Sequence, residues 1–152
     1  MTLHAVFLDA SPLDLLTRRR GIAEVHACCT WRDQCLANGV RVYIPEITDY
    51  EVRRGLLAAG LSTRLARLED LKATLTYLPV STAAWLKAAE LWANASRAGF
   101  STDDKHALDG DVILAAQALT CGFAPGTFLV ATDNPKHLAR YVSADEWRNI
   151  TP

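Results

Sequence analysis

The chain has 152 residues, the size of one globular domain and enough to bury roughly two-thirds of the surface its unfolded form exposes. Half of the residues are hydrophobic and 22% are charged, which excludes a disordered chain. Sixteen Lys and Arg against seventeen Asp and Glu give a net charge of −1, which excludes a strongly basic nucleic-acid-binding domain and leaves only a local patch for RNA or DNA.

Ala5–Leu8 is a short run apolar on both faces, the signature of a strand buried in a parallel sheet, and Asp9-Ala10-Ser11-Pro12 ends it. Pro12 fits a first helical position, with Ser11 as the cap. Apolar residues at helical spacing from Ile22 to Leu36 predict a helix that stops at Asn38-Gly39. Val42–Ile44 is a second strand, closed by Pro45. Glu46 to Ala59 reads as a helix stopped by Gly60, with Glu46 and Asp49 as helix-start acids; Thr63 to Leu75 reads as the next. Tyr77–Val80 is a third strand, and Ser81-Thr82 caps a long helix ending at Gly99. Trp85 and Trp92, seven apart on that helix, read as packing rather than as platforms for bases. The apolar stretch from Asp109 to Leu119 predicts a buried helix with Asp109 as cap and Asp111 in its first turn. Thr127–Ala131 is a fourth strand, and Asn134 caps a short helix from Pro135 to Arg140. No linker or repeat interrupts residues 1–152, so the reading is one α/β domain with a mainly parallel sheet of four to five strands flanked on both faces.

The four cysteines form no C-x-x-C pair and read as reduced, mostly buried thiols. The amino terminus has no basic segment before its short apolar run, and no stretch reaches the length of a membrane span, so the expected location is the cytoplasm, with no membrane partner. His4, His26, His106 and His137 show no metal-type spacing, and no serine or cysteine lies in a nucleophile elbow, which argues against histidine catalysis. Arg18-Arg19-Arg20 and Arg53-Arg54 are the compact basic runs; beside an acidic pocket they would supply phosphate attraction.

In open parallel sheets the chemistry gathers beyond the carboxyl ends of the strands. Asp9 follows the first strand and Asp133 the fourth, each of them also able to bond loop amides. Asp111 sits where it could simply stabilise a helix amino end, and Glu51, with Arg54 three residues on, reads alone as a solvated helix charge. Several carboxylates brought together raise one another's pKa unless a cation neutralises them; all-oxygen ligation suits Mg²⁺ or Mn²⁺.

Four segments then form a pattern: Val6-Phe7-Leu8-Asp9-Ala10-Ser11, Pro45 to Gly55 around Glu51, Leu108 to Ala118 around Asp111, and Leu129-Val130-Ala131-Thr132-Asp133-Asn134. In these the chain resembles PIN-domain proteins, most closely the VapC-like toxins of bacterial toxin–antitoxin pairs. The resemblance implies a three-layer α/β/α sandwich whose acidic pocket holds Mg²⁺ or Mn²⁺ and hydrolyses RNA. It implies Asp9, Asp111 and Asp133 as catalytic metal ligands and Glu51 as an acid that binds metal or orients the attacking water. Both Asp133 and Asn134 follow Thr132, so either fills the last acidic position, and Ser11 is a supporting hydroxyl or the helix cap. It further implies a homodimer, and a cognate antitoxin that places an Arg in the metal's position through an electropositive groove. Rival readings are a PIN-like module that binds a partner without catalysis, and an Asp-based phosphatase or phospho-acceptor domain. Such a phosphatase wants a second Asp where Ser11 stands, and a phospho-acceptor wants an acidic pair and a later Lys.

Overall fold

The computed structural model describes residues 2–99 and 105–152, with the side chains of all of these except 105–108. In chain order the elements are β1 (Ala5–Leu8), α1 (Ala10–Thr17), α2 (Ala23–Ala37), β2 (Arg41–Pro45), α3 (Glu46–Ala58), α4 (Ser62–Thr74) and β3 (Thr76–Leu78). They continue as α5 (Thr82–Arg97), α6 (Lys105–Leu119), β4 (Phe128–Thr132), α7 (Pro135–Leu138) and β5 (Ala144–Glu146), followed by a 3₁₀ turn over Trp147–Asn149. The strands form one sheet in the order β3-β2-β1-β4-β5, and every neighbouring pair is parallel.

Alternation along β1 explains the layers, because successive side chains of a strand point to opposite faces. Val6 and Leu8 join a core with Leu13 of α1, Val25 and Trp31 of α2 and Leu68 of α4. Ala5 and Phe7 face the other way, into a core with Leu114, Ala115 and Ala118 of α6. Phe7 stacks on Tyr43 at 4.8 Å and meets Phe128 edge-on at 5.9 Å, fixing the central strands against that layer. The result is the expected α/β/α sandwich. Among the described residues no helix is long and apolar enough to cross a membrane. The four cysteines are free, and burial pushes the thiols of Cys28 and Cys35 up to about 12, as suits inert core groups.

Three local expectations are corrected. Ser11 does not cap the first helix: α1 starts at Ala10, and the extended residue before it, Asp9, is the cap, its Oδ1 accepting from the Ala10 N–H at 2.7 Å. Pro12 then occupies the third helical position, where a missing N–H costs nothing because the first amides of a helix have no intrahelical partner. Nor is Asp111 in a first turn, since α6 begins at Lys105 and runs straight through Gly110. Trp85 and Trp92 are 53% and 41% exposed and are not core packing. The α5–α6 contact is made instead by Ala84 and Ala88 against Val112 and Ala116, small residues that let the helices approach while the indoles stay on the flank.

Candidate active site

The strand order reverses at β1: β2 lies on one side and β4, reached much later in the chain, on the other. The crevice at such a switch point is where open α/β sheets place ligands, beyond the carboxyl ends of the strands. Asp9 and Asp133 are the residues just past β1 and β4. The two strand ends are stitched together by the Asp9 N–H donating to the Ala131 carbonyl at 2.9 Å and by the Thr132 hydroxyl donating to Asp9 Oδ2 at 2.7 Å. Thr132 Oγ1 in turn accepts from the Asn134 N–H at 3.1 Å. Asp9 is therefore held at both carboxylate oxygens. Burial raises its carboxyl above the usual range, the bonds from Thr132 and Ala10 oppose that, and the charge of Asp133 adds to it.

Glu51 reaches the same edge from the second turn of α3 and is half-buried rather than the solvated charge its helix context suggests. Burial first, and then the charge of Asp9, push its carboxyl to about 7; Arg54 works against the rise and Asp111 adds to it. Asp111, in α6, is pushed to about 6 by burial and by Asp9, with His137 and Arg140 opposing. The structure thus brings Glu51 and Asp111 close enough to Asp9 for its charge to raise both carboxyls, with Asp133 close enough to act on Asp9. His137 enters as a charge that steadies Asp111, while the side chain of His106 lies outside the described ones.

Gly110 is a part of this site that its sequence context conceals. A Cβ on it would stand 2.5 Å from Glu51 Oε1, so the absence of a side chain lets α6 close on the Glu51 carboxylate. Seven residues on, on the same stripe of α6, the buried Gln117 accepts from the Ile47 N–H at 3.2 Å and donates to the Leu78 carbonyl at 2.8 Å. These bonds tie α6 to the start of α3 and the end of β3 and so fix where Asp111 and Glu51 meet. Glu46 and Asp49, expected as helix-start acids, do lie in the first turn of α3 and also have partners: Glu46 accepts from the Tyr77 hydroxyl and the Val80 N–H, and Asp49 pairs with Arg53.

Asp133 differs from the other three. It is 38% exposed and pairs with Arg148 at 3.2 Å; Arg148 also pairs with Glu24 of α2 and lies over the Trp147 ring. Neither Arg148 nor Glu24 carries a local pattern that marks it, since Arg148 is 15 residues from Asp133 in sequence and Glu24 lies near the other end of the chain. Asn134 caps α7 by position without a side-chain bond. An open cavity of about 570 Å³ beside these groups is walled by Ser11, Arg18, Glu24, Glu51, Arg64 and Asp133, among others.

A family model for the PIN domain matches residues 30–141. The chain belongs to the PIN domain family. Glu51, Asp111 and Asp133 fall inside the matched range of this PIN domain, and Asp9 precedes it. The fold is similar to that of VapBC from Salmonella typhimurium in a DNA-bound crystal structure, with a TM-score of 0.71 at 20% identity, covering 95% of this chain and 99% of that one. It is similar also to VapBC2 from Rickettsia felis, bound to a DNA fragment from their promoter (TM-score 0.71, 14% identity, 94% and 98% covered). VapBC-1 from nontypeable Haemophilus influenzae gives a TM-score of 0.69 at 15% identity, with 95% and 99% covered. No curated protein matches the sequence.

The donors fit an oxygen-seeking divalent ion. Carboxylates that raise one another's pKa are a site lacking positive charge. Among the described residues no three His, Cys, Asp or Glu side chains are gathered as a ready-made metal cage. Mg²⁺ does not need one, because it keeps several waters and binds through one or two carboxylates. The pKa shifts carry a consequence for stability. The folded-state values of about 7 for Glu51 and about 6 for Asp111 lie above their ordinary 4.5 and 3.8, so the folded chain holds more protons than the unfolded chain in between. Without divalent ions, the stability these two groups contribute should be complete below about pH 4 and be lost as pH rises from there through about 7. A thermal melt in chelator should show a midpoint lower by a few degrees at pH 8 than at pH 5.

Proposed function

We propose that this PIN domain is a metal-dependent ribonuclease that hydrolyses RNA phosphodiester bonds and acts as the toxin of a toxin–antitoxin pair. The observation that carries the reading is the placement, in a PIN domain, of Asp9 and Asp133 just past the neighbouring parallel strands β1 and β4, with the Glu51 carboxylate against Gly110, the residue before Asp111. Asp9 and Asp111 would hold Mg²⁺ or Mn²⁺, with Glu51 beside them and Asp133 at the margin. When bound, the ion supplies Lewis acidity toward a phosphodiester and a lowered pKa for water.

The remaining work belongs to the chain. Asp9, fixed by Thr132 and Ala10, is oriented before any ligand arrives, so little reorganisation accompanies binding. Glu51, with its carboxyl held near neutrality, is suited to take a proton from water at Oε1 or Oε2. His137 and Arg140 temper the charge on Asp111, so that it stays ionised closer to neutral pH than burial alone would permit. The likeness in fold to VapBC structures supports an antitoxin as the partner, and the resemblance to VapC-like toxins a second copy of the chain as its neighbour.

The full chain incubated with single-stranded RNA should cleave it, fall to background in EDTA, and recover with Mn²⁺ or Mg²⁺ but not with Zn²⁺. Cleavage that persists in EDTA would remove the metal from the proposal. Expressed alone the gene should arrest growth, and co-expression with a neighbouring antitoxin gene should relieve it; harmless expression of a folded, metal-binding product would remove the toxin role while leaving ribonuclease activity in place.

A further inference from the structure

A second cavity, of about 440 Å³, lies around the carboxyl end of α1 and the turn that follows. Its wall includes Arg18, Arg20, Arg32 and Arg67 against one carboxylate, Asp70. Part of this charge is structural. Arg64 and Arg67 serve the end of α1: Arg64 Nη2 donates to the Asp14 carboxylate at 2.6 Å and to Thr17 Oγ1 at 3.0 Å, and Arg67 Nη1 donates to the Thr17 carbonyl at 3.2 Å. That role does not account for the others. Arg32 pairs with the exposed Asp33, and Arg20 stands exposed in the turn before α2. Arg18 pairs with Asp14, but Asp14 is already held by Arg64, so two guanidinium groups share one carboxylate and positive charge is left over.

Guanidinium groups present paired N–H donors that match phosphate oxygens, and Arg18 and Arg20, whose charge is not taken up by a partner of their own among the described residues, favour an anion of high charge density at this concavity. The placement says which anion. The acidic edge at Asp9, Glu51 and Asp111 repels a polyanion, and a chain with net charge −1 offers no general attraction. Arg18 lines both this cavity and the one that borders Glu51 and Asp133, so the two are neighbours across the end of α1. From Asp9 to Arg18 the helix advances about 13 Å. A stacked single strand covers that in roughly four nucleotides at about 3.4 Å each.

We propose that the arginine-lined cavity at the end of α1 binds a backbone phosphate of the RNA strand, a few nucleotides from the bond presented to the acidic edge. The proposal rests on the ribonuclease reading and adds the place where the strand is gripped.

The test uses the full chain carrying Asp9→Asn, so that bound RNA stays intact, and a fluorescein-labelled single-stranded 12-mer RNA followed by anisotropy over a range of KCl concentrations. Adding Arg18→Gln and Arg20→Gln together should weaken binding about tenfold and reduce the slope of log affinity against log salt by about 0.7 for each phosphate that is no longer neutralised. Adding Arg41→Gln instead removes a single charge at the start of β2, at the opposite end of the strands from Asp9, and should change affinity by less than twofold. Circular dichroism melts confirm that each variant is folded. The proposal is overturned if the double variant binds like its parent or if Arg41→Gln weakens binding equally. It is overturned also if inorganic phosphate, or a Glu decamer standing for an acidic protein segment, binds in an Arg18- and Arg20-dependent way while RNA affinity is unchanged. If RNA binding depends on the two arginines but the chain with Asp9 intact cuts no RNA in Mn²⁺, the phosphate site stands and the ribonuclease reading falls.

Discussion

Asp9→Asn is expected to reduce RNA cleavage by at least ~100-fold, since even groups that merely support a metal ligand cost about 10- to 100-fold when removed. The same substitution should leave the chain as stable as the parent in chelator, or more so. Asn is as good a helix cap as Asp, so the bond from the Ala10 N–H survives. The Thr132 hydroxyl, which donates to Asp9 Oδ2, can rotate to accept from an amide nitrogen instead. What disappears is a charge that burial disfavours and that pushes up the carboxyls of both Glu51 and Asp111. Melting curves should therefore separate the two chains only when Mn²⁺ is added, where the parent gains stability by mass action and the variant does not. An Asp9→Asn chain that cut RNA at the parental rate, with contaminating nuclease excluded, would show that the chemistry lies elsewhere.

Gly110→Ala should produce the unusual pairing of a sound fold and a failing site. In the interior of α6 an Ala in place of Gly favours the helix by up to about 1 kcal/mol. The new methyl, however, would stand 2.5 Å from Glu51 Oε1, and a flexible carboxylate can only yield by swinging away. Cleavage should fall about tenfold or more while the melting midpoint in chelator holds or rises. Glu51→Gln provides the comparison: it removes the charge without moving the backbone, and should depress activity with a similar gain in stability. If Gly110→Ala leaves cleavage untouched, the position of the Glu51 carboxylate does not matter to the reaction.

β1, β2 and β4 can be read from sequence because each is a short apolar run closed by a turn residue, and a strand buried on both faces has no other way to look; β3, expected at Tyr77–Val80, lies instead at Thr76–Leu78, an edge strand with only partial burial. The run Ala5–Leu8 is the clearest case, with Val6 and Leu8 in one core and Ala5 and Phe7 in the other. β5 has no such signature: Ala144-Asp145-Glu146 is an edge strand of three half-buried residues, visible only through its pairing with β4. Helix starts were less legible. Gly110 looks like punctuation near a helix boundary, and only the approach of Glu51 from another element explains a glycine inside α6. Glu51 itself, seen from its own helix, is an exposed acid beside Arg54; its burial comes from α1 and α6, which lie far away in sequence. Trp85 and Trp92 mislead in the opposite sense, because helical spacing cannot tell the face covered by α6 from the flank beside it.

Arg148 gives the four carboxylates two different chemistries toward cations. At Asp9, Glu51 and Asp111 an incoming ion would add charge to a place short of it and would displace only protons. At Asp133 the guanidinium of Arg148 already stands in that position, so an ion there must exchange with it. Exchange is the weaker process, since the ion gains only the difference between its own attraction and the one it displaces. It is also felt at a distance, because the released guanidinium is tethered to Glu24 on α2 and lies over the buried Trp147, whose ring meets Trp31. An ion at that corner would thereby be linked to the seating of the carboxyl-terminal turn.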